Sequence, residues 1–236
     1  MLDQKAEFVR ALFSGIPREY DQLLWMLTFR QDVRWRRRAI RAAGVTPPAR
    51  ILDLATGTGI FAYDWIDALG PGLEVVALDL TSAMLRHAIQ VRRERGRNDP
   101  IAFVCGRTEM LPFPDEHFDA VSIGLALRNL SCLEASFAEM ARVIRPGGRV
   151  LSVDFTRPPH PLFRHIYYLY LCRGLPAIGR AISPEWEKTF DYLWRSILNF
   201  RGVEEVVAAM EGAGLKNVQA CPLTGGIATL LVGARP

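Results

Sequence analysis

The sequence predicts a doubly wound α/β fold built on a mostly parallel sheet, and three observations carry that prediction. Short apolar, β-branched segments alternate with amphipathic stretches from residue 50 to residue 155. A glycine turn, Gly57-Thr58-Gly59, separates the first apolar segment from the helix-period stretch that follows it. Two further strand-like segments close the chain and bring the count to seven. Strand and helix taken in turn describe βαβ units, whose crossovers place helices on both faces of a parallel sheet.

Periodicity places the elements in order. Strand 50–55 is followed by helix 58–69, strand 74–79, helix 82–95, strand 101–105, strand 118–124, helix 132–144 and strand 149–155. Thr81 or Ser82 supplies a cap for the second of these helices, and "RPGGR" reads as a tight turn into the fifth strand. Ahead of the sheet, residues 4–43 keep helical spacing; "SGIP" splits them into a first helix and a longer second one, and "TPP" ends the section. After "DFTRPPHP", residues 161–200 are aromatic-rich and helical in pattern, "VEEVVAAMEGAGL" is a regular amphipathic helix, and strands 216–222 and 226–233 finish the chain. The simplest organisation is one domain over 1–236: an N-terminal helical arm (1–48), a core (49–156), a helical lid or insertion (157–200) and a C-terminal helix with strands (201–236).

Composition narrows the function classes. Of 236 residues, 50% are hydrophobic and 23% charged, the balance of a globular chain with a sizeable core. The net charge of +4 is concentrated in arginine: residues 30–50 hold seven arginines and one acid, and "RHAIQVRRERGR" is a second basic stretch. Two solvated helix faces explain these stretches, and a face resting on anionic lipid or a phosphate-bearing partner is the sharper alternative. Nucleic acid is less attractive as a partner and none is expected, because apart from Trp35 no aromatic interleaves with the basic residues as a stacking platform requires. Cys105, Cys132, Cys172 and Cys221 have no metal-ligand spacing and read as reduced thiols; no metal is expected. The N-terminus carries acids rather than a signal-peptide core, and no apolar run nears the roughly 20 residues of a membrane span. These features predict a cytoplasmic protein, with peripheral contact at the inner face of the membrane and a homodimer both left open.

The glycine turn carries the chemistry. A strand that runs into Gly57-Thr58-Gly59 and then a helix brings backbone N–H groups to the strand's C-terminal edge, where open α/β sheets bind nucleotides. With Ala62 the stretch also satisfies G-x-G-x-x-A, a dinucleotide pattern and hence a dehydrogenase reading. Asp53 argues against it, since a carboxylate beside a pyrophosphate in a poorly solvated site is repelled. A ligand with an ammonium group is attracted instead; the alternative is an Asp that caps the turn locally. Asp79, at the end of the second strand, is placed to accept from ribose hydroxyls. A nucleoside that is cationic and free of phosphate satisfies both acids, which points to S-adenosylmethionine as cofactor.

With "LDLATGTG", "LPFPDEHFDAV", "LALRNL", "VIRPGGRVLSVDFTRP", "FDYLWRSI" and the tail "TGGIATLLVGARP", the chain resembles the class I S-adenosylmethionine-dependent methyltransferases. Within that Rossmann-like class it is similar to the ubiquinone and menaquinone biosynthesis C-methyltransferases, and "EYDQLL" and "RWRRRAI" extend the similarity to the N-terminal arm. The glycine loop and "LPFPDEHFD" belong to many small-molecule methyltransferases, whereas "LRN", "YLxxSI" and the "TGGI" ending are narrower. The resemblance implies that Asp53, Ala55, Gly57, Thr58 and Gly59 form the methionine-side loop and that Asp79, with Leu80, holds the ribose. It sets Met84, Arg107 and Thr108 around the adenine and Gly124 near the cofactor. Met84 reads equally as an ordinary core residue. Arg107 departs from the Asn or Asp of relatives and has no acceptor to offer, and Gly124 stands where relatives often carry Ser.

For the methyl acceptor the resemblance implies a demethylated prenyl quinol bound by Tyr20, Arg128, Phe190 and Tyr192, with Arg128 and Asn129 as the catalytic pair and S-adenosyl-L-homocysteine as the other product. A quinol ring carbon becomes nucleophilic when its neighbouring hydroxyl loses a proton, and a fixed cation such as Arg128 lowers a phenol's pKa. A water held by Arg128 and Asn129 would take that proton. Capping of the following helix is the structural alternative for the pair, and for Asp154, a second candidate base, turn capping. Another lipophilic aromatic or isoprenoid acceptor is a rival reading, as is a silent relative acting as a scaffold.

Overall fold

The computed structural model describes residues 2–236. Three helices precede the sheet, α1 (Leu2–Ser14), α2 (Tyr20–Thr28) and α3 (Gln31–Ala43), where the sequence period predicts two. Thr28, Asp32 and Arg36 keep a four-residue spacing across the break, so the period hides it. The chain turns at Phe29 and Arg30, both at positive φ (50° and 60°). Polar side chains then tie the two helices: Thr28 Oγ1 donates to Asp32 at 2.6 Å, and Asp32 pairs with Arg36 at 2.6 Å.

The core alternates as expected: β1 (Ala49–Leu54), α4 (Ile60–Leu69), β2 (Leu73–Asp79), α5 (Ser82–Glu94), β3 (Ile101–Cys105), β4 (Phe118–Gly124), α6 (Leu133–Val143) and β5 (Ile144–Phe155). Next come α7 (Pro161–Leu169), a π-helical turn at Tyr170–Gly174, α8 (Leu175–Ile182) and α9 (Pro184–Leu198). The chain ends with α10 (Val203–Gly212), β6 (Lys216–Leu223) and β7 (Ala228–Ala234). The seven strands form one sheet of order β3-β2-β1-β4-β5-β7-β6, parallel except where β7 runs against β5 and β6.

Alternation along the strands fills both faces. In β2, Leu73, Val75 and Ala77 join a cluster with α2, α3, α4 and the segment around α7 to α9. Leu78 joins a second cluster with Phe137 and Met140 of α6 and Val206 and Met210 of α10. The expected turn at "RPGGR" is instead a bulge inside β5, whose register with β4 slips between Phe118 and Ala120. Gly148 allows it, for a Cβ there would sit 2.8 Å from the Asp119 carbonyl oxygen. Thr81 begins α5 without a side-chain cap; its N–H is held by Asp79 at 2.7 Å. Strand order reverses between β1 and β4, and the crevice at their C-terminal ends is where such sheets bind ligands.

Candidate active site

Two adjoining cavities open at that crevice. The larger, about 700 Å³ with its open mouth included, is walled by Ala55, Gly57, Asp79, Leu80, Met84, Arg107, Thr108 and Asn129, together with Val9 and Phe13 of α1. The smaller, about 470 Å³, is walled by Asp32, Arg36, Asp53, Thr56 and Thr58. Tyr20, Ala55, Gly124 and Leu125 line both, so the two are parts of one site.

The loop that divides them is bent by backbone geometry available chiefly to glycine. Gly57 and Gly59 have φ of 58° and 80°, and Ala55 adopts 48° without being glycine. A Cβ on Gly59 would press on the Tyr63 ring at 3.1 Å. Asp79 holds the loop: one carboxylate oxygen accepts from the Gly57 N–H at 2.8 Å and the other from Thr81 N–H. Each oxygen keeps further acceptor capacity, and Asp79 lines the larger cavity, where a ribose diol would donate. Burial pushes the Asp79 carboxyl up, and the two amides oppose the shift.

Asp53 is 1% exposed and accepts from the Thr56 hydroxyl at 2.6 Å and the Ser122 hydroxyl at 2.7 Å. Ser122 in turn accepts from Trp65 Nε1 at 3.0 Å. Among the described residues no backbone amide caps this carboxylate, so the local-cap alternative gives way to side-chain bracing. Burial pushes the carboxyl up to about 7, against the two hydroxyls and the positive field of Arg36. Arg36 itself, paired with Asp32 and with Asp64 at 2.6 Å, lines the smaller cavity. That cavity therefore sets the Asp53 carboxylate, which suits an ammonium group, beside a guanidinium already shared between two carboxylates. Sequence reasoning missed Arg36, Ser122 and Trp65; the one available signal was the Asp32-to-Arg36 spacing inside an arginine-rich stretch.

Leu80, Met84, Arg107, Thr108 and Gly124, which the resemblance also assigns to the cofactor, all line the larger cavity. Met84 is both core residue and cavity wall. Thr108 is buried at the wall, while Arg107 turns toward Glu109 at 3.8 Å. At Gly124 a Cβ would meet the Phe61 ring at 3.1 Å, so Phe61 fills the space that a larger side chain would need. Thr58 donates to Asp21 at 2.7 Å and so ties the loop to α2.

The "LRN" segment, which the resemblance assigns to the methyl acceptor, forms a single 3₁₀ turn, Leu127–Asn129, after β4. Asp154 holds it, accepting from the Leu127 N–H at 2.7 Å and from Arg128 at 2.9 Å. Both side chains of this ion pair are 4% exposed, and Arg128 also donates to the Leu125 carbonyl and to Ser196 at 3.2 Å. Asp154 is thus the counter-ion of Arg128 rather than a free base. Asn129 faces the larger cavity, and its carbonyl accepts from the Tyr192 hydroxyl at 2.8 Å. Tyr20 lies where the cavities meet, its phenol pushed up to about 12 by burial. Phe190 does not reach the cavities: it is fully buried between α8 and α9, against Trp186 and Gly179. Arg128 does not line them either, but its charge opposes the burial shift of Tyr20, Tyr167 and Tyr192.

A phosphate beside Asp53 and Asp79 would be repelled, whereas an amino-acid end beside the Asp53 and Arg36 charges and a ribose beside Asp79 suit both cavities. Fold and acids together define a class I S-adenosylmethionine-dependent methyltransferase. The chain matches the ubiE/COQ5 methyltransferase family over residues 1–235 and belongs to it. It is 35% identical over 233 residues to a demethylmenaquinone methyltransferase of Bacillus licheniformis, covering 99% of each chain. It is 33% identical over 231 residues to a ubiquinone/menaquinone biosynthesis C-methyltransferase of Shewanella woodyi, covering 98% of this chain and 92% of that one. Among solved structures, a putative S-adenosyl-L-methionine-dependent methyltransferase from Methanococcus maripaludis shares the fold, with a TM-score of 0.66 at 16% identity over 94% of this chain and 93% of that one.

Proposed function

We propose that the protein methylates a ring carbon of a demethylated prenyl quinol, a demethylmenaquinol or ubiquinol precursor, as the names of its relatives indicate. The observation that carries this reading is the Leu127–Asn129 turn, which sets a buried guanidinium and a cavity-facing amide side by side. S-adenosylmethionine supplies an electrophilic methyl group on sulfur. Asp53 and Arg36 bind the charged methionine end, and Asp79 orients the ribose. Arg128 favours the phenolate of the acceptor, as its field already favours the ionised form of three tyrosines; Asp154 limits that effect by neutralising part of the charge.

Asn129 is the residue that touches the acceptor. Tyr192 occupies its carbonyl, which leaves the amide N–H groups to donate to the quinol oxygen. The proton passes to a water at the same amide. Tyr20 closes the site between the two cavities, and residues 157–200 cover the ring as a lid of the same single domain. Positioning of this kind, with water excluded, supplies several kcal/mol of the barrier reduction.

Incubation with labelled S-adenosylmethionine and a short-tailed demethylmenaquinol tests the reading. The product should be one methyl group heavier, with the new carbon on the ring. Methylation at oxygen, or turnover only of another lipophilic aromatic, would overturn it.

A further inference from the structure

Between Asp154 and Glu185 the chain contains no acid, yet it carries Arg157, Arg164, Arg173 and Arg180. This stretch is the first arm of the proposed lid, α7 and α8 joined through the π turn into one helical run. Its inner side is packed: Tyr167, Leu171, Leu175 and Gly179, each four residues after the last, are buried. Its outer side is apolar too. Leu162 is 64% exposed, and Ile166, Leu169, Ile178 and Ile182 are exposed beside it. Phe29, 67% exposed, rests on Tyr170 with ring centroids 5.4 Å apart, and Trp25 stands exposed one turn earlier on α2. A helix apolar on both sides needs an apolar environment on both.

We propose that this outer face, with Phe29 and Trp25, lies on the surface of an anionic phospholipid bilayer. Charge selects that occupant. Arg173, in phase with Leu162, Ile166 and Leu169, is exposed and pairs with no acid among the described residues; Arg164, in the first turn of α7, is exposed and likewise unpaired with any acid among them but lies on the other side of the helix, and Arg180 is answered by Glu187 at 2.7 Å. A second copy of the chain, docked by the same face, would set Arg173 against its own copy with no acid in the arm to meet it. Lipid headgroups supply the missing negative charge, and the acyl boundary takes the apolar side chains. Among the described residues no helix is long and apolar enough to cross a membrane, so the arm lies on the bilayer rather than through it.

Co-sedimentation of the full chain with vesicles tests the docking. Binding to phosphatidylcholine/phosphatidylglycerol vesicles should exceed binding to phosphatidylcholine alone by about tenfold or more. Ile166→Glu with Leu169→Glu should lower it by a similar factor, and Arg164→Gln with Arg173→Gln should remove most of its salt dependence. Both variants should keep the wild-type melting temperature and wild-type turnover of a water-soluble, short-tailed quinol. Equal binding to both vesicle types, or variants that bind as the wild type does, would overturn the proposal. A switch from dimer to monomer in light scattering, with vesicle binding unmoved, would give the face to a second copy. Vesicle binding without quinol turnover would instead refute the acceptor assignment and leave the docking standing.

Discussion

The two halves of the site are built in opposite ways. On the cofactor side the loop and the ribose acid are built on backbone: Asp79 is fixed by the amides of Gly57 and Thr81, and the glycine loop takes its shape from residues a few positions apart, with Asp53 alone braced by the side chains of Thr56 and Ser122. On the acceptor side the scaffold is made of side chains from remote segments. Arg128 is held by Asp154 and Ser196, and Asn129 by Tyr192, which lies 63 residues away. A backbone-built site is rigid before any ligand arrives, while a side-chain-built site transmits a single substitution to its neighbours. Changes on the two sides should therefore separate cofactor affinity from turnover.

Arg128→Leu tests that separation most severely. Turnover should fall by about 10²–10³-fold or more, with cofactor affinity within a few-fold of wild type. Left without its partner, the buried Asp154 should cost about 3–5 kcal/mol of stability. Arg128→Leu combined with Asp154→Leu should regain most of that stability and stay inactive. Recovery of activity along with stability would show the pair to be scaffold only.

Next in size is Asp53→Asn, which should weaken cofactor binding on the order of tenfold to a hundredfold. Calorimetry across pH adds a signature. Only the ionised carboxylate attracts the ammonium group, so wild-type affinity should climb as pH rises through about 7 and then level off; the Asn variant should show no such climb. Stability of the free protein moves the other way. The folded carboxyl holds its proton more tightly than the unfolded one, whose value is near 3.8, so stability falls as pH rises from there to about 7, and Asn should abolish that fall.

Tyr192→Phe removes one hydrogen bond and leaves the Asn129 amide free to turn. A drop of about tenfold in kcat, with cofactor affinity unmoved, is expected. A matching loss of cofactor affinity would mean that the two halves are coupled. Smallest is Gly124→Ser, where the added atoms meet Phe61. Cofactor binding should weaken by a few-fold, and Phe61→Leu should restore it.

The same contrast explains what could be read in the chain beforehand. The α/β alternation, the seven strands and the cofactor loop are written in short runs, so their period and turn residues sufficed. Asp53 was legible as a carboxylate in an apolar strand, but its braces were not, since Ser122 is 69 residues on and Trp65 reaches it only through Ser122. The α2–α3 break escaped because Thr28, Asp32 and Arg36 preserve helical spacing across two residues at positive φ. Phe190 resembles a substrate position in sequence, yet the packing of α8 on α9 draws it inward, where Gly179 leaves no room for a Cβ beside it. "TGGI" stood out as a motif without a reason. A Cβ on either glycine would collide with Phe163 or Pro159 at the foot of α7, and Thr224 accepts from Trp35 at 2.8 Å.

The π turn at Tyr170–Gly174 carries a consequence for insertions and deletions. Buried residues four apart drift around an α-helix by about 40° at each step, and Tyr167, Leu171, Leu175 and Gly179 accumulate more than a quarter turn of it. One extra residue in the π turn takes up about 100° of that drift, so the outer face of α8 stays in phase with that of α7. Shortening the chain by one residue inside 170–174 should therefore leave a plain α-helix with its faces aligned, and a melting temperature close to wild type. The same deletion in the middle of α7 or α8 should swing every later side chain by about 100° and unfold the arm.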